Sequence, residues 1–213
     1  MAVFKDGIMG SFKGRVGNVV GYEWRGLSVM RSRPRIKKNR KPTEKQLANR
    51  ARFNLMQEYL RFRIGFVRKG FSLAPELERM SQFNVAMSYN LSYAIAGEYP
   101  HWYIDYSKVV FSKGDLELPK GISLALEKNI LRVSWDTEKE GAAADDDQAM
   151  VMVSGSNDVI GKHSGNLRED GEELIDLVGE EEGTELFVHI AFISDDRSRV
   201  SDSLFLGSVV VGQ

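Results

Sequence analysis

Side chains able to do covalent or metal chemistry are sparse in this chain. Its 3 histidines, His101, His163 and His189, are scattered, with no pair at the i, i+4 spacing that lets two imidazoles of one helix face share a metal. No calcium-loop pattern of acids accompanies them. Cysteine is absent, which removes disulfides, thiol nucleophiles and thiolate metal sites together and leaves packing to hold the fold. The acidic runs Asp145-Asp146-Asp147 and Glu180-Glu181-Glu182 could collect a divalent cation only if the fold joined them; read alone they are solvated loops. Ser154-Gly155-Ser156 is a polar turn without the Gly-x-Ser-x-Gly strain that exposes a nucleophile. GIMGSFKG and GRVGNVVG superficially resemble nucleotide loops. Neither has Gly-x-Gly-x-x-Gly behind an apolar strand, and Lys13 precedes Gly14 where a phosphate loop needs Gly-Lys-Ser/Thr. Strand turns and close packing explain these glycines. The expectation is a protein with no catalytic, cofactor or metal residues, and not an enzyme.

The pronounced chemistry is charge. RSRPRIKKNRK, residues 31–41, carries seven Arg or Lys side chains and no acid, and such a run repels itself unless something negative lies nearby. Residues 1–112 hold 20 basic and 8 acidic side chains, a net of +12, whereas residues 113–213 hold 9 and 22, a net of −13, so a total of −1 conceals two opposite halves. Arg31, Arg33, Arg35, Lys37, Lys38, Arg40 and Lys41, extended by Lys45, Arg50 and Arg52 on the following helix, are the expected contacts to a polyanion. If roughly five of them each neutralise a phosphate, log affinity falls with log salt at a slope of about −4. Trp24 is the candidate for base stacking, although packing of Tyr22 and Trp24 on one strand face explains both equally well. No base-reading motif is evident, so nucleic-acid binding without strong sequence specificity is expected. The alternative partner is an acidic protein surface, foremost the −13 half of the same chain or of a neighbour. Docking on a neighbour is head-to-tail and yields rings or filaments, which would make the chain a homo-oligomeric assembly subunit in a phage-like or cell-surface structure.

The elements that must carry these charges are legible as patterns. Gly7, Gly10, Gly14, Gly17, Gly21 and Gly26 interleave with β-branched and aromatic residues, which predicts strands with a tight turn near Arg25-Gly26. A basic arm, 31–42, follows; Pro34 and Pro42 discourage helix, and the nine residues from Pro34 to Pro42 could reach ~30 Å if extended. Thr43 with Gln46 three residues on predicts a helix start, with Leu47, Ala51, Leu55, Tyr59 and Phe62 on its apolar face and Gly65 near its end. Pro75, Glu76 and Glu78 predict a second helix whose face is Leu77, Met80, Asn84, Met87, Leu91 and Ala94, stopped by Gly97 and Pro100. The two helices are expected as an antiparallel pair packed over the glycine-rich strands. HWYIDYSKVVFS reads as a strand, with Trp102, Tyr103 and Tyr106 as core or interdomain residues. Beyond SKGDLELPKG come seven short strands, ISLAL, ILRVSW, AMVMVS, ELIDLV, TELFVHIAFIS, VSDSLFL and SVVV, in about a hundred residues. The expected fold is therefore α+β: domain 1–112 of strands, helix pair and basic arm, then domain 113–213, an acidic antiparallel β-sandwich.

NILRVSWD, with Trp135 inside a strand, resembles the early strands of fibronectin type III-like and immunoglobulin-like domains, which implies a core tryptophan. Phe187 and His189 stand where such domains often carry a tyrosine corner, a departure from the pattern. Five blocks in order, GRVGNVVGYEWRGLSVMRSRP, PTEKQLANRARF, FNVAMSYNL, DYSKVVFSKGDL and HIAFISDD with VSDSLFLG, resemble an uncharacterised family of Bacteroidota proteins. That resemblance implies kinship and assigns no site residue.

An apolar content of 42% is ample for a core, and no stretch approaches the roughly 18–20 apolar residues of a membrane span. The opening MAVFKDGIMGSFKGRVG lacks the apolar block of a signal peptide, so the expectation is cytoplasmic residence without membrane contact. Asn90-Leu91-Ser92 fits a glycosylation sequon, which is inert without a secretory signal.

Overall fold

A computed structural model describes residues 3–4, 10–24, 26–33, 41–155 and 158–212. Contacts divide the chain into two compact units, Met1–Thr43 and Glu44–Gln213. Among the described residues there are three α-helices and four antiparallel sheets, an α+β protein.

The first unit is one sheet in sequential order: β1 (Val3–Phe4), β2 (Phe12–Val16), β3 (Val19–Trp24) and β4 (Leu27–Ser32). Gly17, at φ 56°, and Gly26, at φ 77°, supply the left-handed turns of its two hairpins. Gly21 faces Gly14 across the ladder, and a β-carbon there would collide with the ring and carbonyl of Phe12. Close packing, not nucleotide binding, explains this glycine.

The second unit opens with α1 (Glu44–Phe62), which starts directly after Thr43 as the Thr-x-x-Gln spacing predicts. α2 (Ile64–Gly70) follows after a break at Arg63, and a short 3₁₀ turn, Pro75–Glu78, precedes α3 (Gln82–Tyr93). The second long helix thus begins later than Pro75 implies: Ala74 is extended ahead of the proline, and Ser81 is the effective cap, its Oγ accepting from the Asn84 N–H at 3.3 Å. β5 (Ile95–Glu98) and β6 (His101–Ile104) form a hairpin through the cis Tyr99–Pro100 bond. Strand alternation turns Trp102 and Ile104 inward and leaves Tyr103 exposed, so only two of the three aromatic residues read as core are packed. Tyr106, in the 3₁₀ turn Tyr106–Lys108, stacks on Phe187 with centroids 3.7 Å apart.

The helices and this hairpin enclose one apolar cluster around Met56, Tyr59, Leu60, Phe71, Ala86 and Val109. Its polar clasp is Asn90. The buried Asn90 amide donates to the carbonyls of Ala86 and Val110 at 2.9 and 2.8 Å and accepts from the Val110 N–H at 2.9 Å, so the sequon asparagine is a packing residue. Asn90→Ala strands the Val110 amide and is expected to lower unfolding free energy by about 2 kcal/mol in urea melts.

The remaining strands are β7 (Ser123–Glu127), β8 (Ile130–Ser134), β9 (Gln148–Ser154), β10 (Val159–Lys162), β11 (Glu172–Asp176), β12 (Glu185–Ile193) and β13 (Leu204–Val210). They form a sheet ordered β10-β9-β12-β13 and a second ordered β11-β8-β7. Leu131, Val133 and Ile175 of the smaller sheet share a core with Val151, Val153, Val188 and Ile190 of the larger, and Trp135 is buried in it. The opposite face of β9 and β12 packs Met150, Met152, Ala191 and Ile193 against Phe66 of α2 and Phe111. Cover on both faces is why these two strands read as continuous apolar runs without alternation. Phe187 and His189 point to this helix-facing side, which accounts for the missing tyrosine corner at those positions. The LFL end of VSDSLFL and the SVV of SVVV form a single strand, Leu204–Val210, because Gly207 (φ 131°) sits opposite Val188 at a register shift and serves as a bulge, not a turn.

Candidate nucleic-acid interface

Ladder register decides what the first unit presents. Cross-strand partners share a face, and the pairs Val20↔Arg31, Tyr22↔Val29 and Trp24↔Leu27 place Arg31 beside the aromatic residues of β3, with Arg15 on the same face through its pairing to Val20. Tyr22 is 37% and Trp24 43% exposed, and the Arg31 guanidinium lies 5.5 Å from the Tyr22 ring centroid. A cation held over an aromatic face beside a second accessible ring suits stacking against bases. Leu27 and Met30 are exposed further still, at 58% and 66%. Among the residues of this unit whose burial is described, Gly21 alone is buried, and none of them forms an apolar core. The unit is also strongly cationic, with 11 basic and 2 acidic residues in 1–43, a net of +9.

The expected polyanion contacts fall into four groups. Arg31, Arg33 and Lys41 are exposed in the first unit and form no ion pair among the described residues; the backbone of Arg33 is fixed by its N–H donating to the Asn18 carbonyl at 2.8 Å. Arg35, Lys37, Lys38 and Arg40 lie outside the described residues. Lys45 and Arg50 are exposed on α1 in the second unit. Arg52 is different: its Nη2 donates to the Leu91 carbonyl at 2.8 Å and its guanidinium lies 5.2 Å from the Trp102 ring, joining α1 to α3 and β6. Its head group is engaged within the fold.

Sequence reasoning also missed two buried arginines in the second unit. Arg63, at the break between α1 and α2, donates to the carbonyls of Tyr59 (2.8 Å) and Gly155 and covers the Tyr59 ring at 3.7 Å. Burial holds its pKa below the ordinary arginine value, and it also pushes the Tyr59 hydroxyl up. Arg168 is paired with Asp147, which removes that aspartate from any cation site. Asp145 pairs with Lys139 at 2.6 Å, and among the described residues no three His, Asp or Glu side chains converge as metal ligands. No helix among them is long and apolar enough to cross a membrane.

Fold and site together define an α+β chain with, among the described residues, three helices, four antiparallel sheets and a cationic, aromatic front hairpin. The chain belongs to a family of unknown function (DUF6266), whose profile matches residues 11–207. No curated protein and no solved structure matches the chain.

Proposed function

We propose that this chain is a non-enzymatic binding protein whose basic front segment settles on a polyanion, nucleic acid foremost, without strong sequence specificity. The observation that carries the reading is the exposed Tyr22, Trp24 and Arg31 face on a hairpin whose last strand leads straight into the seven-cation run. Such a surface offers ring faces to bases and unpaired charge to phosphates, and no hydrogen-bond fork aimed at a particular base edge. The carboxyl-terminal sheets serve as a scaffold in this reading. Their order, β11-β8-β7 against β10-β9-β12-β13 around buried Trp135, supports a fibronectin type III-like or immunoglobulin-like sandwich. The protein acts in the cytoplasm, and its kin are Bacteroidota proteins.

Replacing Arg33, Arg35, Lys37 and Lys38 together by serine is the test. Retention on single-stranded DNA at low salt is expected to vanish while circular dichroism and thermal unfolding stay as in the parent. Undiminished retention by a folded variant overturns the proposal.

Head-to-tail assembly is the second reading, favoured by Leu27 and Met30, whose exposed apolar surface a phosphate backbone does not use. The −10 net charge of residues 44–213, from 18 basic and 28 acidic side chains, supplies a complementary surface on a neighbouring copy. A mass that stays monomeric at every concentration and salt, measured on nuclease-treated protein, eliminates it.

A further inference from the structure

We infer that a cleft in the second unit, lined by Gly65, Arg68, Lys69, Ser72, His163, Ile193 and Arg197, binds a phosphate-bearing anion. It lies where α2 meets the segment after β10 and the β12–β13 connection and encloses about 520 Å³. Among the described residues not one carboxylate lines it, in a unit where acids outnumber bases by 28 to 18.

The cations converge instead of dispersing. Lys69 Nζ donates to Ser164 Oγ at 2.5 Å and to the His163 carbonyl at 3.1 Å, and Arg197 Nη2 donates to the same Ser164 Oγ at 3.3 Å and to Gln148 Oε1 at 2.6 Å. Two positive head groups thus share one hydroxyl, and neither they nor Arg68 form an ion pair among the described residues. The nearest acid in this network is Asp195, which accepts from Gln148 Nε2 at 3.0 Å and so stands one residue removed. Burial and then the Arg197 charge depress the Lys69 pKa; burial and then Lys69 depress that of His163, the pattern of a cluster lacking its counter-ion.

The backbone accommodates this crowding. A β-carbon at Gly65 would strike His163 Nε2, so glycine lets the imidazole lie against the helix, stacked on Phe66 with centroids 4.1 Å apart. Arg197 holds φ 61°, a left-handed conformation that a bulky side chain adopts at a cost, at a position that brings its guanidinium into the cleft. Ser164 accepts from two cations and keeps its own proton to give. The result is a cleft with an apolar wall at Ile193 and up to three formal positive charges from Arg68, Lys69 and Arg197, which matches the tetrahedral, doubly charged phosphate group better than a planar single-charge carboxylate.

This site does not rest on the basic arm. Its test is thermal unfolding of the full chain in inorganic phosphate against chloride at matched ionic strength. A saturable rise in Tm is expected, with affinity falling about tenfold or more in Arg197→Gly and in Lys69→Met. Arg197→Gly should unfold no earlier than the parent without phosphate, since glycine accepts φ 61° freely. A parent indifferent to phosphate, or a response unchanged in both variants, overturns the assignment. A short single-stranded oligonucleotide then identifies the source of the phosphate. Weakened binding in Arg197→Gly marks a nucleic-acid contact, whereas intact oligonucleotide binding with a lost phosphate response marks a site for free phosphate or a small phosphomonoester.

Discussion

Asp147→Ala is expected to lower the unfolding free energy by about 3–5 kcal/mol, because it leaves a buried guanidinium without its charge partner. Arg168 and Asp147 are both fully buried: Arg168 Nε donates to Asp147 Oδ2 at 3.1 Å, and its Nη2 donates to the Glu117 carbonyl at 2.8 Å. The arginine plane also covers the Phe192 ring at 4.6 Å, and its own carbonyl accepts from Trp135 Nε1 at 2.9 Å. Asp147 Oδ2 in addition accepts from the Ala144 N–H at 2.9 Å, so the substitution frees a loop amide as well. A pair embedded this way contributes little over a hydrophobic replacement of the same shape, yet losing one member is severe. Asp147→Ala with Arg168→Met should therefore recover a substantial part of the loss, as the methionine keeps contact with Phe192 and removes the stranded charge. Urea unfolding of both variants measures this. A single-variant loss under about 1 kcal/mol would sink the argument.

The same arginines show why the site was only half legible in the sequence. Helical period and capping located α1, but the buried stripe runs through Arg52, Met56, Tyr59 and Arg63, while Leu47 and Phe62 of the expected apolar face are exposed. An arginine can spend its donors on backbone carbonyls, as Arg52 does on Leu91 and Arg63 on Tyr59, and composition alone cannot separate that from a phosphate contact. Glycine caused another misreading. Gly207 looks like a break between two strands, yet it lies within β13, where a long-range partner decides its role. Gly161 illustrates this, because a β-carbon there would strike the Val151 carbonyl across the ladder. Alternation made β7, β8 and β11 readable, and apolar runs bounded by turn residues did the same for β9 and β12, since those signals are local. The phosphate cleft was invisible for the opposite reason: Lys69, Ser164 and Arg197 belong to separate elements that only the packed fold brings together.

Charge in the two units then has two distinct uses. In the front unit Lys13 pairs with Glu23, while Arg31, Arg33 and Lys41 are exposed and form no ion pair among the described residues, the charge that the proposed external anion would compensate. In the second unit the engaged arginines pin helices and loops, and Arg68, Lys69 and Arg197 gather at one cleft. Salt should accordingly weaken nucleic-acid retention steeply and leave unfolding free energy nearly constant, because buried pairs are screened far less than exposed ones.

Acid should unfold the protein through His189. Its ring is buried against Phe111 and Phe205, and Nε2 faces the Tyr106 carbonyl at 3.0 Å. Burial lowers its pKa from 6.5 to about 4; the Tyr106 carbonyl opposes the shift and nearby Arg63 adds to it. The unfolded chain therefore takes up a proton as pH drops below 6.5, whereas the folded chain resists until about 4. Stability is flat above that window, declines through it by up to about 3 kcal/mol, and loses nothing further from this residue below it. His163 is also depressed and adds a smaller decline of the same sign. Asp196, held at about 2 by hydrogen bonds from Ser194 and Ser198, gives up its contribution only at lower pH, so the window between 6.5 and 4 isolates the histidines. His189→Gln retains a donor for the Tyr106 carbonyl and cannot protonate. Denaturant midpoints taken from pH 7 to pH 4 should fall much less in that variant than in the parent, and parallel profiles would show that the buried imidazole is not the acid-labile group.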